Sequence, residues 1–161
     1  MDDIFYMKQA LKRAKVAYKD WETPVGAVIV KDGKVISGGR NFRENKKNAL
    51  MHAELIAIDR ACRKLGSWRL VDCELFVTLE PCAMCAGAII NSRIKRVVFG
   101  ASDGKAGSFG SLVNLNDYAY NHKPEVVGGV MADECSALLS DFFKELRIKK
   151  KKQPYIKEDK I

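Results

Sequence analysis

The chain has 161 residues, of which 47% are hydrophobic and 30% are charged, and its formal net charge is +8. This length suits a single domain with a substantial core, and the composition is that of a globular protein. The longest apolar run spans only a few residues and the chain begins with an acidic segment, which argues against a membrane span and against a secretory signal. An odd count of five cysteines argues against a disulfide framework. We therefore predict a cytoplasmic protein that does not bind membranes.

The first part of the chain predicts a helix followed by a β-hairpin. The helix begins near Asp3. Its apolar residues recur at helical spacing and form one stripe for the core, made of Met7, Leu11, Ala14 and Tyr18. A strand from Ala27 to Val30 and a return strand from Val35 to Gly38 flank the two-residue turn Asp32-Gly33. The two strands are expected to pair antiparallel, and Asn41 follows them on a loop.

Helices and strands alternate through the middle of the chain. A helix is predicted from about Met51 to Leu65, with Gly66 as its stop signal. Its core stripe is predicted to be Leu55, Ile58, Cys62 and Leu65. The next elements are a strand at 74–78, a helix from Cys82 to Asn91 and a strand at 96–100. Such a strand, helix, strand order favours parallel pairing, with the helix covering the sheet.

The last part of the chain is irregular before it becomes regular again. Residues 101 to 124 contain several glycines and predict a loop with one short helix. Glu125 to Val127 predicts a fifth strand. A final amphipathic helix carries the apolar positions Cys135, Leu138, Leu139, Phe142 and Leu146. Together these elements predict an α/β fold, a three-layer α/β/α sandwich around a central five-stranded mixed sheet.

Four residues at the starts of the two middle helices have the chemistry of a catalytic metal site. His52, Cys82 and Cys85 offer one imidazole and two thiolates, which suit zinc and leave its fourth position to water. Glu54 is then not needed as a ligand, so it is available to move protons as a catalytic residue. We predict one zinc ion per subunit at this site.

Helix geometry predicts where such an ion must lie. Residues i and i+2 are about 200° apart around a helix axis, so His52 and Glu54 cannot share a flank. Side chains lean towards the helix N-terminus, so both can reach a metal that lies beyond that end. Pro81 just before Cys82 is typical of a helix start, and the positive helix ends favour thiolates.

Two other interpretations of these residues remain open. Cys82 and Cys85 alone could form a redox pair, and a lone His is usually structural. A closed structural zinc site would need a fourth ligand, for which the remaining His and Cys residues are Cys62, Cys73, Cys135 and His122. The combination of His-x-Glu with Pro-Cys-x-x-Cys is the known signature of zinc-dependent nucleobase deaminases.

The chain resembles the bacterial tRNA adenosine deaminases from about Met7 to Arg147. Six blocks carry the resemblance: PVGAV at 24–28, HAE at 52–54, TLEPCAMCAGAI at 78–89, SRI at 92–94, VVFGA at 97–101 and LLSDFF at 138–143. One position departs from the family pattern, because the residue before the zinc-binding His is usually small and here it is Met51. This change could alter the pocket wall, or it could be a packing change, since Met fills irregular gaps readily.

The resemblance implies the cytidine-deaminase-like fold and the zinc-dependent hydrolysis of adenosine to inosine at the wobble position of an arginine tRNA anticodon. A single-stranded anticodon loop allows the base to be extruded into a pocket at little cost. Asn41 matches a family asparagine that we expect to bind the substrate, although it also suits an ordinary turn. Asp103 matches a loop position near the RNA and is the second predicted substrate-binding residue. The resemblance also implies a homodimer.

The C-terminal segment is strongly basic. Residues 147 to 161 hold seven Lys or Arg against Glu158 and Asp159, and Lys149 to Lys152 are consecutive. We divide the chain into a zinc-dependent deaminase domain at 1–147 and a basic C-terminal tail at 148–161. The lysine run either contacts RNA phosphates or is a solvated tail, and charge alone does not distinguish the two.

Other functions are compatible with parts of this pattern. A deaminase of free guanine or cytosine, or of their nucleosides, uses the same zinc arrangement but needs no basic tail. A zinc-containing RNA-binding protein without turnover and a structural zinc module are the non-enzymatic alternatives. Glu54 argues against both of the latter, because neither needs a proton carrier beside the metal.

Overall fold

The structure is a computed structural model, and it describes residues 2–153. Helices and strands follow one another along the chain as α1 (Asp3–Lys19), β1 (Gly26–Lys31), β2 (Lys34–Arg40), α2 (Arg43–Lys46), α3 (Ala53–Leu65), β3 (Cys73–Leu79), α4 (Ala83–Asn91), β4 (Arg96–Ala101), β5 (Glu125–Val127) and α5 (Ala132–Lys152). A short 3-10 helix at Leu115–Asp117 interrupts the long loop between β4 and β5. Each predicted helix and strand is present, and the ends differ by a few residues.

The five strands form one mixed sheet in the order β2-β1-β3-β4-β5. Strand β1 pairs antiparallel with both β2 and β3, whereas β3, β4 and β5 run parallel. The hairpin turn has positive φ at both Asp32 and Gly33, which matches the twist of the flanking strands. The crossover through α4 makes β3 and β4 parallel, as the strand, helix, strand order predicted.

The sheet is covered on both faces, so the predicted three-layer sandwich is confirmed. Helices α3 and α4 pack on one face, against residues such as Ile29, Leu75 and Val97. Helices α1 and α5 pack on the other, against Val28 and Phe76. Because neighbouring residues of a strand point to opposite faces, Val28 and Ile29 belong to different cores. Within residues 2–153, none of the helices has the length and apolar character that a membrane span requires.

The predicted core stripe of α3 is confirmed in part, because Ile58, Cys62 and Leu65 pack against the core, but the most deeply buried line of the helix is a different one. Fully buried positions on this helix include Ala53, Ala57 and Ala61, whereas the predicted stripe of Leu55, Ile58, Cys62 and Leu65 is only half-buried. The cause is the close approach of α3 to β2, where a Cβ on Gly39 would collide with the Ala53 carbonyl. Only small side chains fit such an approach, so the larger ones lie along the flanks.

The stripe of α1 agrees better with the prediction. Met7, Leu11 and Ala14 are buried, and Tyr18 is half-buried with its ring centroid 5.5 Å from that of Phe142 on α5. This ring contact joins the first helix to the last one. Burial of these side chains provides the main free energy that holds the layer of α1 and α5 on the sheet.

Helix α5 extends further than the apolar pattern indicated. It continues to Lys152, so the lysine run Lys149–Lys152 forms its last turn. The predicted boundary between domain and tail at 147 therefore falls inside this helix. Residues 154–161 of the predicted tail lie outside the described part of the chain.

Candidate active site

The predicted metal ligands meet at the starts of two helices on one face of the sheet. His52 is the N-cap residue of α3 and Cys82 is the N-cap residue of α4, while Cys85 lies in the first turn of α4. The His52 Nδ1 atom is 3.6 Å from the Cys82 Sγ and 3.5 Å from the Cys85 Sγ. The placement at helix ends is thus the one that helix geometry predicted.

These distances fit a tetrahedral zinc ion. Zinc bonds sulfur at about 2.3 Å and imidazole nitrogen at about 2.0 to 2.1 Å, so tetrahedral geometry sets neighbouring sulfur and nitrogen ligands about 3.5 to 3.6 Å apart. The donor atoms of His52, Cys82 and Cys85 all lie within 4.8 Å of one another. The chemistry and spacing of the three side chains therefore suit a catalytic zinc ion that keeps one coordination position open.

A closed structural site would need a fourth protein ligand at this point. Within residues 2–153, the cluster of potential ligands contains these three side chains and no fourth. The candidates for that role make contacts elsewhere: the Cys62 thiol lies near the Trp68 carbonyl, and the His122 Nε2 is 2.7 Å from the Ile94 carbonyl. Cys73 begins β3 and Cys135 lies in α5 against Gly100. An open position is therefore the better description of the cluster.

The two thiols have pKa values that are displaced in opposite directions. A hydrogen bond from the Cys85 thiol, with help from His52, lowers the pKa of Cys82 to about 4. The same shared proton, together with burial, raises the pKa of Cys85. The hydrogen bond with Cys82 also raises the pKa of His52, against the opposing effect of burial. The cluster thus has a ready thiolate, and a bound cation would favour loss of the second proton.

Glu54 lies beside this cluster without being part of it. It is in the first turn of α3, and only 4% of its surface is exposed. Burial raises the pKa of its carboxyl group. This effect is larger than the opposing effects of a backbone hydrogen bond and of the nearby His52 imidazole, which lower the pKa. A carboxyl group with a raised pKa binds a proton more readily than a free one and can still release it, which is the property that a general acid–base requires. Its catalytic role stays a prediction.

A cavity of about 140 Å³ brings the predicted residues together. His52, Glu54 and Cys82 line it, and so do both predicted substrate-binding residues, Asn41 and Asp103. Its remaining wall includes the apolar residues Val25, Ala53, Leu79 and Ala106. A pocket with apolar walls and a few convergent polar groups is typical of a binding site for a small molecule or a single base.

Asn41 and Asp103 approach the cavity from loops on two sides. Asn41 is 7% exposed, its Oδ1 accepts a hydrogen bond from the Arg43 amide at 3.2 Å, and its Nδ2 donates to the Thr23 carbonyl at 3.4 Å. The Asp103 Oδ1 accepts from the amides of Lys105 and Ala106. Both residues therefore shape their own turns while lining the cavity, and their contact with a substrate stays a prediction.

Met51 lies on a neighbouring surface. Its side chain lines an outer groove together with Phe42, Leu50 and Leu55, while His52 and Ala53 line the cavity. Of the two possible effects of this departure from the family pattern, the structure favours a packing change outside the pocket wall.

Sequence reasoning missed two buried carboxylates near the cavity, Glu22 and Glu80. Glu22 is 0% exposed and Glu80 is 2% exposed, which is rare for glutamates. Although burial by itself raises the pKa of Glu80, hydrogen bonds from Ser111 and from backbone amides outweigh it, and the pKa is lowered. The available signal was a glutamate next to an apolar strand and close to a proline, in Glu22-Thr23-Pro24 and in Glu80-Pro81.

Known proteins share both the sequence and the fold. The family model of MafB19-like deaminases matches residues 1–147. The tRNA-specific adenosine deaminase of Bacillus subtilis (strain 168) is 51% identical over 150 residues, which cover 92% of this chain and 93% of that protein. The tRNA-specific adenosine deaminase of Rickettsia bellii (strain RML369-C) is 49% identical over 144 residues, which cover 88% of this chain and 99% of that protein.

Solved structures extend the comparison to the fold. A structure from work on A-to-I editing by tRNA:A34 deaminases at the wobble position of transfer RNA has a TM-score of 0.78 and 38% identity, and covers 84% of this chain and 99% of that one. A guanine deaminase from Bacillus subtilis has a TM-score of 0.63 and 27% identity, and covers 99% of both chains. The more similar of these two structures is thus the deaminase that edits tRNA.

Proposed function

This chain belongs to the tRNA-specific adenosine deaminase family, and we propose that it hydrolyses the wobble adenosine of a tRNA anticodon to inosine, releasing ammonia. The observation that carries the proposal is the cavity itself, where a His, Cys, Cys cluster, a buried Glu and two polar loop residues converge. The reaction replaces the amino group at C6 of adenine by oxygen from water, so the product base is hypoxanthine.

We propose that His52, Cys82 and Cys85 hold one zinc ion in each subunit. The cluster supplies the neutral imidazole and two thiolates that zinc prefers, at separations that match tetrahedral bonding. When bound, zinc lowers the pKa of a coordinated water and so supplies a nucleophile at neutral pH. The two thiolates offset the charge of the ion, so a neutral base can enter the cavity without a strong opposing field.

Glu54 is the proposed proton carrier. Its carboxylate would accept a proton from the attacking water and pass it to a ring nitrogen of adenine, and would later move the remaining proton of the C6 hydroxyl group to the amino group, which leaves as ammonia. Burial supports this role, because a carboxyl group with a raised pKa is a stronger proton acceptor than a free one. Only 4% of the Glu54 surface is exposed, which limits the access of bulk water to its carboxyl group.

Asn41 and Asp103 are the proposed substrate-binding residues. Both line the cavity, and they lie on loops that follow different strands. An extruded base between them would meet an amide on one side and a carboxylate or its loop backbone on the other. The single-stranded anticodon loop suits this geometry, because its bases can leave the stack with little unpairing cost.

We assign an arginine tRNA as the substrate and a homodimer as the active assembly, since the resemblance to the family implies both. The outer groove lined by Phe42, Leu50, Met51 and Leu55 supports the second assignment, because it leaves Leu50 53% exposed beside the cavity. A second copy covering this groove would lie next to the bound RNA. Sedimentation of the purified protein tests the assembly, and a tRNA substrate is the reason for assigning a cytoplasmic location.

The decisive experiment identifies the product base. Purified protein is incubated with an arginine anticodon stem-loop bearing A, C or G at the wobble position, and the released nucleosides are separated by chromatography. We expect inosine from the A substrate only. Free guanine and free cytosine serve as the comparison substrates, since a free-base deaminase would consume them. If no inosine forms while guanine is consumed, the proposed function is wrong.

A further inference from the structure

Two loops form the rim of the cavity, and each is tied to the protein by a buried glutamate. We call residues 41–46 the first rim loop, which carries Asn41 and includes the single-turn helix α2 with Arg43, and residues 102–111 the second rim loop, which carries Asp103 and Ala106. These glutamates are Glu22 and Glu80, whose carboxylates accept hydrogen bonds from backbone amides of the two loops. Neither is assigned to metal binding or proton transfer in the proposed function.

Glu22 holds the first rim loop through its backbone. Its Oε1 accepts a hydrogen bond from the Glu44 amide at 2.9 Å, and its Oε2 accepts one from the Asn45 amide at 2.9 Å. The Asn45 Nδ2 donates to the same Oε2 at 2.7 Å and to the Asp20 carbonyl at 3.2 Å. Because the carboxylate is fully buried, each of these bonds would leave an unpaired polar group if it were lost.

Glu80 holds the second rim loop in the same way. Its Oε1 accepts from the Asp103 amide at 3.2 Å, and its Oε2 accepts from the amides of Phe109 and Ser111, both at 3.1 Å. The Ser111 hydroxyl also donates to this carboxylate. Gly107 leaves the space that the carboxylate occupies, because a Cβ there would collide with it. One side chain thus fixes both ends of the loop segment that contributes Asp103 and Ala106.

The sheet order explains why these two glutamates can act on the two loops. Glu22 precedes β1 and Glu80 follows β3, and these inner strands pair antiparallel with Ala27 opposite Val77. Both glutamates therefore lie at the same end of the sheet, where the cavity is. The rim loops follow the flanking strands β2 and β4. The glutamate next to β1 thus holds the loop that follows β2, and the glutamate next to β3 holds the loop that follows β4.

We propose that Glu22 and Glu80 are positioning residues, which set the separation of the two rim loops and hence the orientation of the nucleotide between them. The inference rests on the proposed function, because that function assigns the two rim loops to substrate binding. Hydrogen bonds to backbone amides hold a loop independently of its own side chains, and loops ordered before binding lose less entropy when the ligand arrives. Such preorganisation contributes to substrate affinity more than to proton transfer at Glu54.

The test uses Glu22→Gln and Glu80→Gln, which keep the size of each side chain. Each amide points an NH₂ group at an N–H donor that formerly met an oxygen, so the loop must shift. We expect KM for the anticodon stem-loop to rise about tenfold or more, while kcat stays within about threefold and zinc content is unchanged. Glu125→Gln is the matched control, because it removes an exposed carboxylate at the opposite end of the sheet from both rim loops, and its KM is not expected to rise.

A merely structural role of the two glutamates predicts a different result, in which stability falls but KM does not change. The variants would then yield less active protein and melt at a lower temperature, while the KM of the remaining active protein is unchanged. That result overturns the proposal. Should the glutamine variants fail to fold, Asn45→Ala and Ser111→Ala each delete one exposed side-chain donor, and KM is expected to rise about twofold to fivefold. An unchanged KM in both of these variants equally overturns it.

Binding without turnover separates this inference from the proposed function. The dissociation constant of the stem-loop is measured in a Glu54→Gln background, with and without Glu22→Gln or Glu80→Gln. A rise of about tenfold supports the positioning role, and an unchanged constant overturns it. Absence of inosine with the unaltered protein would instead contradict the proposed function, while the binding comparison still reports on the rim.

Discussion

The floor and the rim of the cavity are built by different means. The floor consists of His52, Glu54, Cys82 and Cys85, which lie at two helix starts and within two short motifs. The rim consists of two loops that follow β2 and β4 and are held by glutamates next to the neighbouring strands β1 and β3. Local geometry at a helix end is sufficient to aim the floor residues, whereas the rim exists only after the sheet has formed. The two regions should therefore respond differently to substitution.

The largest effect is expected from removing a floor ligand. Cys82→Ala should lose zinc, and activity should fall by at least about a thousandfold, because the metal supplies the nucleophile. The melting temperature should fall as well, since metal binding to the folded state adds stability. Metal analysis and inosine formation measure both effects. Cys62→Ala changes a thiol outside the cluster and should keep the metal, whereas full zinc content in Cys82→Ala would remove Cys82 from the floor.

The second test separates metal binding from proton transfer among the floor residues. Glu54→Gln should retain near-normal zinc content while losing turnover by about a hundredfold to ten-thousandfold, because an amide cannot relay protons. The substituted side chain has the same size, so the cavity wall should be preserved. Metal content and single-turnover rates are measured on one preparation. If the variant proved to be metal-free, the distinction between ligands and proton carrier would be wrong.

The next largest effect is expected at the rim. Asn41→Ala and Asp103→Ala should each lower kcat/KM by about tenfold to a hundredfold with zinc retained, because each removes a polar side chain that lines the cavity. Steady-state kinetics on the stem-loop measure this loss. Asn48→Ala is the matched control, since Asn48 makes a similar turn bond, to the Leu50 amide, outside the cavity. Equal losses in all three variants would assign the effect to loop structure.

A smaller and salt-dependent effect is expected at the end of α5, outside both floor and rim. Replacing Lys149–Lys152 by Gln should weaken stem-loop binding and make the slope of log affinity against log salt shallower by about 0.7 for each lost phosphate contact. Lys149 already has its Nζ 3.9 Å from the Trp21 ring centroid, so fewer than four contacts are expected. Base selection should persist, because phosphate contacts position RNA without reading bases. An unchanged slope would assign the lysines to solvation.

The smallest effect is expected at the opposite end of the sheet, where Arg96 bonds Asp3 at 2.7 Å and Glu74 at 3.0 Å. The hydrogen bond from Arg96 lowers the pKa of Asp3, so its stabilisation is present above the unfolded pKa of about 3.9 and is lost as pH falls through the folded pKa. Asp3→Asn should lower the free energy of unfolding by about 1 kcal/mol at neutral pH and by less in acid, while zinc content and KM are unchanged.

Urea unfolding of the two proteins at pH 7 and near pH 3 measures this difference. If Asp3→Asn lowered the free energy of unfolding equally at both pH values, the charge of Asp3 would contribute nothing to stability and only the shape of its side chain would matter. A change in KM would mean that the two ends of the sheet are coupled, which would weaken the separation between the rim and the rest of the protein.

The sequence by itself determined the order of helices and strands and the chemistry of the floor. Periodicity located α1 and the strands because burial on one face forces apolar residues to recur at the helical or strand period. The turn at Asp32-Gly33 predicted the hairpin because few other residue pairs accept positive φ twice. The separation of His52 from Glu54 predicted a site beyond a helix end because helix geometry allows no shared flank.

Only the tertiary structure decided how deeply each face is buried and what holds the rim. Ala53, Ala57 and Ala61 form the buried line of α3 because β2 approaches the helix closely, a distance that no local pattern records. Glu22 and Glu80 became anchors because sheet pairing brings the ends of β1 and β3 beside loops that are far from them in the chain. A buried carboxylate needs hydrogen-bond donors or a cation in place of water, and for Glu22 and Glu80 the donors are amides that only the assembled sheet brings together.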